Sequence, residues 1–206
     1  MHAYSTEQEQ FWAGEFGEGY MARNASEALH HSNVFFWRRV LQSMPKPASI
    51  AELGCNIGMN LRALRQLNPE VSLQGFEINE QACEKANQLG VGRVECCTIV
   101  EALSVEPQVD LSFTKGVLIH INPDHLEAVY DNLYNISKNY ILVAEYYNPS
   151  PVSVNYRGHE GRLFKRDFAG EMMDRYDLKL VDYGFTYHRD SYAPQDDINW
   201  FLMVKS

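Results

Sequence analysis

The chain has no long apolar run. No stretch of its 206 residues is hydrophobic enough to span a bilayer, and residues 1–10 lack the basic and apolar regions of a signal peptide, so a cytoplasmic protein without membrane contact is expected. Cysteine is sparse. The four at Cys55, Cys83, Cys96 and Cys97 form no Cys-x-x-Cys pair and have no histidine at a ligand-like offset, which argues against a zinc site or a disulfide framework. No metal is expected, and the thiols are read as reduced and mostly buried. Basic residues are also short, 18 Lys plus Arg against 27 Asp plus Glu. The resulting net charge of -9 repels a phosphate backbone and disfavours long nucleic acids as partners, which leaves a small molecule. Repeats, low-complexity tracts and Pro/Gly/Ser linkers are absent, so residues 1–206 are read as a single domain with one core.

What is present is an alternation of apolar runs with helical stretches from residue 49 onward, the pattern of βαβ units and a parallel sheet. Residues 49–53, 71–77, 93–98, 109–114 and 140–146 read as strands. Residues 60–67, 80–89 and 123–136 read as the helices between them, with Asp124 as a cap for the last. A polar, aromatic and basic loop spans 147–166, and a short helix follows from 167 to 175. Residues 178–187 and 198–204 are expected to form a terminal antiparallel pair, because the connection between them is too short and too rich in Asp and Pro for a crossover helix. Ahead of the sheet, residues 25–43 form an amphipathic helix carrying Leu29, Phe36, Trp37, Val40 and Leu41.

The segment Ala51-Glu52-Leu53-Gly54-Cys55-Asn56-Ile57-Gly58 lies where the first strand feeds a helix. At such a junction, backbone N–H groups and the positive end of the helix dipole face whatever binds above the strand end. Gly54 permits a tight turn and close approach to a ligand, and Gly58 permits close packing of the helix. Glu77 follows Gly54 by 23 residues, at the expected end of the second strand, where a carboxylate accepts from both ribose hydroxyls. The two features in register point to a ribose-bearing cofactor. An NAD-dependent oxidoreductase is one class that fits this much. Asn56 argues against it, since it stands where a dinucleotide's pyrophosphate requires a glycine.

The motif Glu52-Leu53-Gly54-Cys55-Asn56-Ile57-Gly58 resembles the first motif of the class I S-adenosylmethionine-dependent methyltransferases, in which Asn56 replaces the middle glycine of the common pattern. The fold the resemblance implies is Rossmann-like, α/β, with a seven-stranded, mostly parallel sheet ending in an antiparallel strand pair and helices on both faces. The cofactor it implies is S-adenosyl-L-methionine, held by Gly54, Cys55, Asn56 and Gly58, with Glu77 and Ile78 on the ribose and adenine edge. Thr98, Ile99 and Val100 would then flank the adenine, and the backbone of Lys115, Gly116 and Val117 would pass the methionine part. Asp or Asn often follows the third strand in this class, and here Thr98 or a neighbour takes that place. The runs 11–24, 52–61 and 113–121 further resemble the methylases associated with pseudaminic acid biosynthesis, which implies a sugar-derived acceptor.

Residues 1–45 are read as an N-terminal lid and helix, and 46–206 as the core. Trp12, Phe16 and Tyr20 suit a lid that excludes water, with Trp12 against the cofactor and Tyr20 against the acceptor; Arg23 suits the methionine carboxylate. His120, just after the fourth strand, is the candidate general base, because imidazole titrates near neutral pH. Tyr147, Asn148, Tyr156, Arg157 and Lys165 are candidate acceptor-binding residues. The cations Arg157, Arg162, Lys165 and Arg166 are matched to a carboxylate or phosphate on an activated sugar acid. The alternatives are another small molecule, a tRNA base gripped through the basic loop, and a cofactor-binding module without catalysis.

Overall fold

The architecture is that of a computed structural model describing residues 4–21, 25–156 and 158–206. Three helices precede the sheet: α1 (Glu7–Ala13), α2 (Glu15–Met21) and α3 (Glu27–Leu41). The sequence reading had left the first two unassigned. Thr6 starts α1 through a capping box, in which its hydroxyl accepts from the Glu9 N–H while the Glu9 carboxylate accepts from the Thr6 N–H. Gly17 lets α2 fold back, since a Cβ there would lie 2.0 Å from the Trp12 carbonyl oxygen. Ser26 caps α3.

The βαβ alternation then follows: β1 (Ser49–Leu53), α4 (Met59–Leu67), β2 (Ser72–Glu77), α5 (Glu80–Gln88), β3 (Arg93–Cys96), β4 (Val109–Lys115), α6 (Leu126–Ile136) and β5 (Ser137–Glu145). Next come a hairpin of β6 (Val152–Tyr156) and β7 (His159–Lys165), helix α7 (Phe168–Arg175), and strands β8 (Leu178–Phe185) and β9 (Asn199–Lys205). Seven strands form one sheet in the order β3-β2-β1-β4-β5-β9-β8. The first five are parallel, β9 runs antiparallel to both β5 and β8, and the expected Rossmann-like architecture is what the chain adopts.

Each face of the sheet is covered by apolar helix surface. Phe36, Trp37 and Val40 of α3, with Leu61 and Leu64 of α4, pack on Ile50, Leu111, Phe113 and Trp200. On the other face, Val129 and Leu133 of α6 and Phe168 and Met172 of α7 pack on Leu53, Ile141, Val143 and Met203. Each of those side chains removes roughly 1.5–3 kcal/mol worth of apolar surface from water, which is why the two helix layers sandwich the sheet.

The structure corrects the sequence reading in four places. Residues 147–166 are not a loop throughout but contain the β6–β7 hairpin. Asn122, not Asp124, is the cap: its side chain accepts from the Asp124 N–H and opens a 3-10 turn at Pro123–His125, with α6 beginning only at Leu126. The third strand ends at Cys96, so Thr98 lies in the loop beyond it. Of the four free cysteines Cys55 and Cys83 are buried, whereas Cys96 is exposed at the end of the edge strand β3. Among the described residues no helix is long and apolar enough to cross a membrane.

Candidate functional site

Strand order reverses between β1 and β4, and at that switch point the chain opens a cavity of about 490 Å³ above the carboxyl ends of the strands. Its floor is the β1–α4 turn. Gly54 has φ +76°, and a Cβ there would lie 2.6 Å from a Val117 methyl, so both its backbone angle and its closeness to the β4 turn require glycine. Asn56 also takes a left-handed angle, φ +48°, which Asn tolerates better than most side chains; its Oδ1 accepts from the Ile57 N–H at 2.7 Å. That shared need for positive φ explains how Asn stands at a position where the motif has glycine. Gly58 starts α4 at φ +77° with no side-chain cap, leaving the helix's first N–H groups uncapped by a side chain next to the cavity. The Cys55 side chain turns away into the core, close to Gly75, and burial raises its thiol pKa, so only its backbone serves the turn.

Glu77 closes the β2 end. Its carboxylate is buried and accepts from the Asn56 N–H at 2.7 Å and the Asn79 N–H at 2.9 Å, tying the two turns together. Burial raises its pKa while these backbone donors pull it down. Ile78, Thr98, Ile99 and Val100 line the cavity beside it.

Beyond Gly54 lie a buried acid and a half-buried ammonium. Glu52 is only 1% exposed; its Oε1 accepts from the Asn60 amide at 2.7 Å, and its Oε2 has no hydrogen-bond partner. Burial pushes its carboxyl up to about 8. The Lys115 ammonium reaches the Asn33 Oδ1 at 3.4 Å and lies 5.3 Å from the centre of the Phe36 ring, and burial lowers its pKa. Both groups line the same cavity without an ion pair between them. Burial leaves the Glu52 carboxyl protonated at neutral pH with one orphan oxygen, and leaves the Lys115 ammonium with one long hydrogen bond, so a ligand that completes both groups is favoured.

Glu145, at the end of β5, organises the segment after β4. One of its oxygens accepts from the Val117 and Leu118 N–H groups, each at 3.0 Å, and the other from Ile119 at 3.4 Å. Burial pushes its pKa up to about 7. The turn so held presents His120, whose Nδ1 lies 2.7 Å from the Arg162 carbonyl oxygen. A carbonyl only accepts, so the proton sits on Nδ1 and the lone pair on Nε2. Burial pushes this imidazole down to about 4, which keeps it neutral, with Nε2 unprotonated, at physiological pH. Trp12 packs on the ring at 4.4 Å and Tyr156 at 5.0 Å, centroid to centroid.

The opening helices close the cavity from above. Trp12 stacks edge-on with Phe16 and Tyr20, and Phe16 reaches Tyr156 of the hairpin. Five bonds among the described residues fasten this cover: Gln8 to the Gly161 carbonyl at 3.0 Å, Glu7 to Arg162 at 3.0 Å, Glu9 to the Thr98 hydroxyl, and the Asn79 amide to the Trp12 and Ala13 carbonyls, each at 3.2 Å.

Of the residues singled out by sequence, Trp12, Tyr20, Gly54, Cys55, Asn56, Glu77, Ile78, Thr98, Ile99, Val100, Lys115, Gly116, Val117 and His120 line the cavity. Arg23 and Arg157 lie outside the described residues. Gly58 shapes the turn without lining the cavity, and Tyr156 acts from behind by packing on His120 and Trp12. Tyr147, Asn148 and Lys165 are not brought to it: Tyr147 packs on Phe201, the Asn148 amide turns to the Ser150 carbonyl, and Lys165 lies over the Tyr146 ring. Two of the cations of this stretch are engaged internally: Arg162 pairs with Glu7 and Arg166 with Glu171. Sequence reasoning missed Glu9, Asn33 and Gln195, which come to the cavity from distant elements. Gln195 is buried with an unpartnered Oε1, and no local pattern marks it.

No protein-family model and no curated protein matches the chain. Solved structures do. The chain is similar to Burkholderia thailandensis 1,6-didemethyltoxoflavin-N1-methyltransferase with bound 1,6-didemethyltoxoflavin and S-adenosylhomocysteine (TM-score 0.71, 12% identity, covering 100% of this chain and 93% of that one). It is also similar to magnesium protoporphyrin IX methyltransferase from Synechocystis PCC 6803 with bound S-adenosylhomocysteine (TM-score 0.69, 13% identity, 96% and 97%). A third likeness is to the plantazolicin methyltransferase in complex with S-adenosylhomocysteine (TM-score 0.65, 15% identity, 97% and 94%). At such identities the likeness establishes the fold: this chain has the Rossmann-like fold of S-adenosylmethionine-dependent methyltransferases.

Proposed function

We propose that the chain is an S-adenosylmethionine-dependent methyltransferase that acts in the cytoplasm on a small polar acceptor. The observation that carries the reading is the convergence on one cavity of the Gly54 turn, the Glu77 carboxylate and the Glu52/Lys115 couple. Glu77 is positioned at a strand end to take ribose hydroxyls, and Ile78 and Ile99 offer apolar surface for a purine. The Glu52 carboxyl, which gives up its proton when a cation comes beside its orphan oxygen, and the underused ammonium of Lys115 complement an α-ammonium and an α-carboxylate, the two charges of a methionine end. The S-adenosylhomocysteine bound by the neighbours supports the choice of cofactor. When bound, the cofactor supplies an electrophilic methyl group on its sulfonium.

The chain's own residues then align the acceptor and exclude water. Trp12, Tyr20 and the β6–β7 hairpin enclose the space next to His120, which dries the site. His120 holds a lone pair on Nε2 at neutral pH and takes the acceptor's proton where the acceptor carries one. Residues 1–45 act as lid and helix, and 46–206 as the catalytic core of one domain. For the acceptor we propose a nonulosonic acid, its activated form or an amino-sugar precursor. The resemblance of residues 11–24, 52–61 and 113–121 to pseudaminic acid-associated methylases supports this choice, as do the polar side chains of Asn33, Gln195 and Asp196 in the cavity wall. Of the first candidates for acceptor binding, Tyr20 keeps that role and Tyr156 supports it from behind. With Arg162 and Arg166 engaged internally, a grip on tRNA phosphates has less to offer.

The test is incubation of the chain with methyl-labelled S-adenosylmethionine over a panel of sugar acids, sugar nucleotides and amino sugars. Label in one of these acceptors is the expected result. Tight S-adenosylhomocysteine binding with no transfer to any acceptor would instead identify a cofactor-binding module.

A further inference from the structure

The lid carries a buried charge that capping alone does not account for. Glu9 is 6% exposed and lines the cavity. Its Oε2 accepts from the Ser5 N–H at 2.9 Å, the Ser5 hydroxyl at 2.6 Å, the Thr6 N–H at 2.9 Å and the Thr6 hydroxyl at 3.2 Å. A capping box needs only this oxygen. The other one, Oε1, reaches across to the Thr98 hydroxyl in the loop after β3 and takes that single donor. Burial works against the charge, but the donors from Ser5, Thr98 and Thr6 outweigh it and hold the group below the usual carboxylate range, so it is ionised and only accepts.

The loop after β3 brings no carboxylate of its own to the cavity. Its residues there are Thr98, Ile99 and Val100, and the next one, Glu101, is exposed and does not line the cavity. Were Glu77 to hold the ribose, Ile78 and Ile99 would flank the purine, and the polar pair that lines the cavity next to Ile99 is Thr98 with its acceptor Glu9.

We infer that Glu9 recognises the 6-amino group of the cofactor's adenine, accepting its hydrogen bond at Oε1 next to Thr98. This rests on the cofactor reading above. Base selectivity is thereby carried by the lid rather than by the strand end, and lid closure is coupled to the presence of the correct base, since the same carboxylate caps α1.

The test is a calorimetric comparison of S-adenosylhomocysteine with its 6-deamino analogue, in which hydrogen replaces the amino group, on wild type, Glu9→Gln and Glu9→Ala. Losing a hydrogen bond to a charged acceptor predicts at least roughly tenfold weaker binding of the analogue by wild type. In Glu9→Ala the two ligands bind equally. Glu9→Gln, whose amide oxygen still accepts, keeps a reduced preference. A lid merely loosened by the substitution weakens both ligands together and leaves their ratio alone, so an unchanged ratio in Glu9→Ala overturns the inference, as does a wild type indifferent to the amino group. Wild type failing to bind S-adenosylhomocysteine at all overturns the cofactor reading itself, and this inference falls with it.

Discussion

At the scale of single residues, Gly54 and His120 show how tightly backbone and side-chain chemistry are specified. Gly54→Ala places a Cβ at φ +76° within 2.6 Å of Val117 and is expected to cost about 1–3 kcal/mol, read as a lowered thermal midpoint, together with weakened S-adenosylhomocysteine binding. A variant as stable and as tightly binding as wild type would contradict the packing of this turn. Lys115→Met is expected to weaken S-adenosylhomocysteine roughly tenfold or more while sparing 5′-methylthioadenosine, which lacks the amino-acid end; equal effects on both ligands would remove the role given to the ammonium. His120, with a folded value of about 4 against an ordinary 6.5, refuses a proton that the unfolded chain accepts. Its contribution is therefore complete above about 6.5 and is lost as pH falls toward 4, by an amount on the order of 3 kcal/mol. Glu52 and Glu145, pushed up to about 8 and about 7, work in the opposite sense as pH rises from their ordinary 4.5. The difference between wild type and His120→Gln isolates the histidine. Nitrogen NMR at pH 6 should show a neutral ring protonated on Nδ1, and a charged imidazole there would contradict the burial.

At the scale of elements, the lid is held by few bonds and is the part most open to perturbation. Thr6→Ala removes the hydroxyl of the capping box and is expected to destabilise α1 locally by about 1 kcal/mol. Hydrogen exchange should then quicken in residues 7–21 and stay unchanged in the central strands; uniform quickening would mean that α1 is part of the core's cooperative unit. The elements also differ in how plainly the sequence announced them. Strands β1, β2, β4 and β5 are mostly buried, with apolar residues recurring through each between turn residues, so their pattern is written locally. Strand β6 does alternate apolar and polar residues over Val152–Tyr156, but four of its five residues are exposed, so the alternation marks no core face, and its pairing with β7 makes it a strand. The glycines of α1–α2, at 14, 17 and 19, hide two short helices from any reading by propensity, although Thr6 and Glu9 stand at capping-box spacing.

At the scale of the whole molecule, the site is an assembly of local and remote contributions; the local ones were readable from adjacent residues, and of the remote ones Trp12, Tyr20, Lys115 and His120 were readable but others were not. Gly54, Asn56 and Glu77 sit in a strand-turn-helix whose chemistry follows from adjacent residues. Asn33 arrives from α3, Gln195 from the β8–β9 connection and Glu9 from the first helix, and their convergence depends on tertiary packing alone. The basic stretch after β5 reads as an anion-binding loop in sequence, and folding turns Arg162 toward Glu7 and Arg166 toward Glu171. A ligand that completes the orphan groups should stabilise the entire fold by mass action, about 2.7 kcal/mol at a hundredfold excess over its dissociation constant. The most direct measurement of the central claim is a titration of S-adenosylhomocysteine into wild type and Glu77→Ala by calorimetry. The account predicts saturable one-to-one binding by wild type and at least a roughly tenfold loss in the variant; equal affinities, or no binding by wild type, would contradict it.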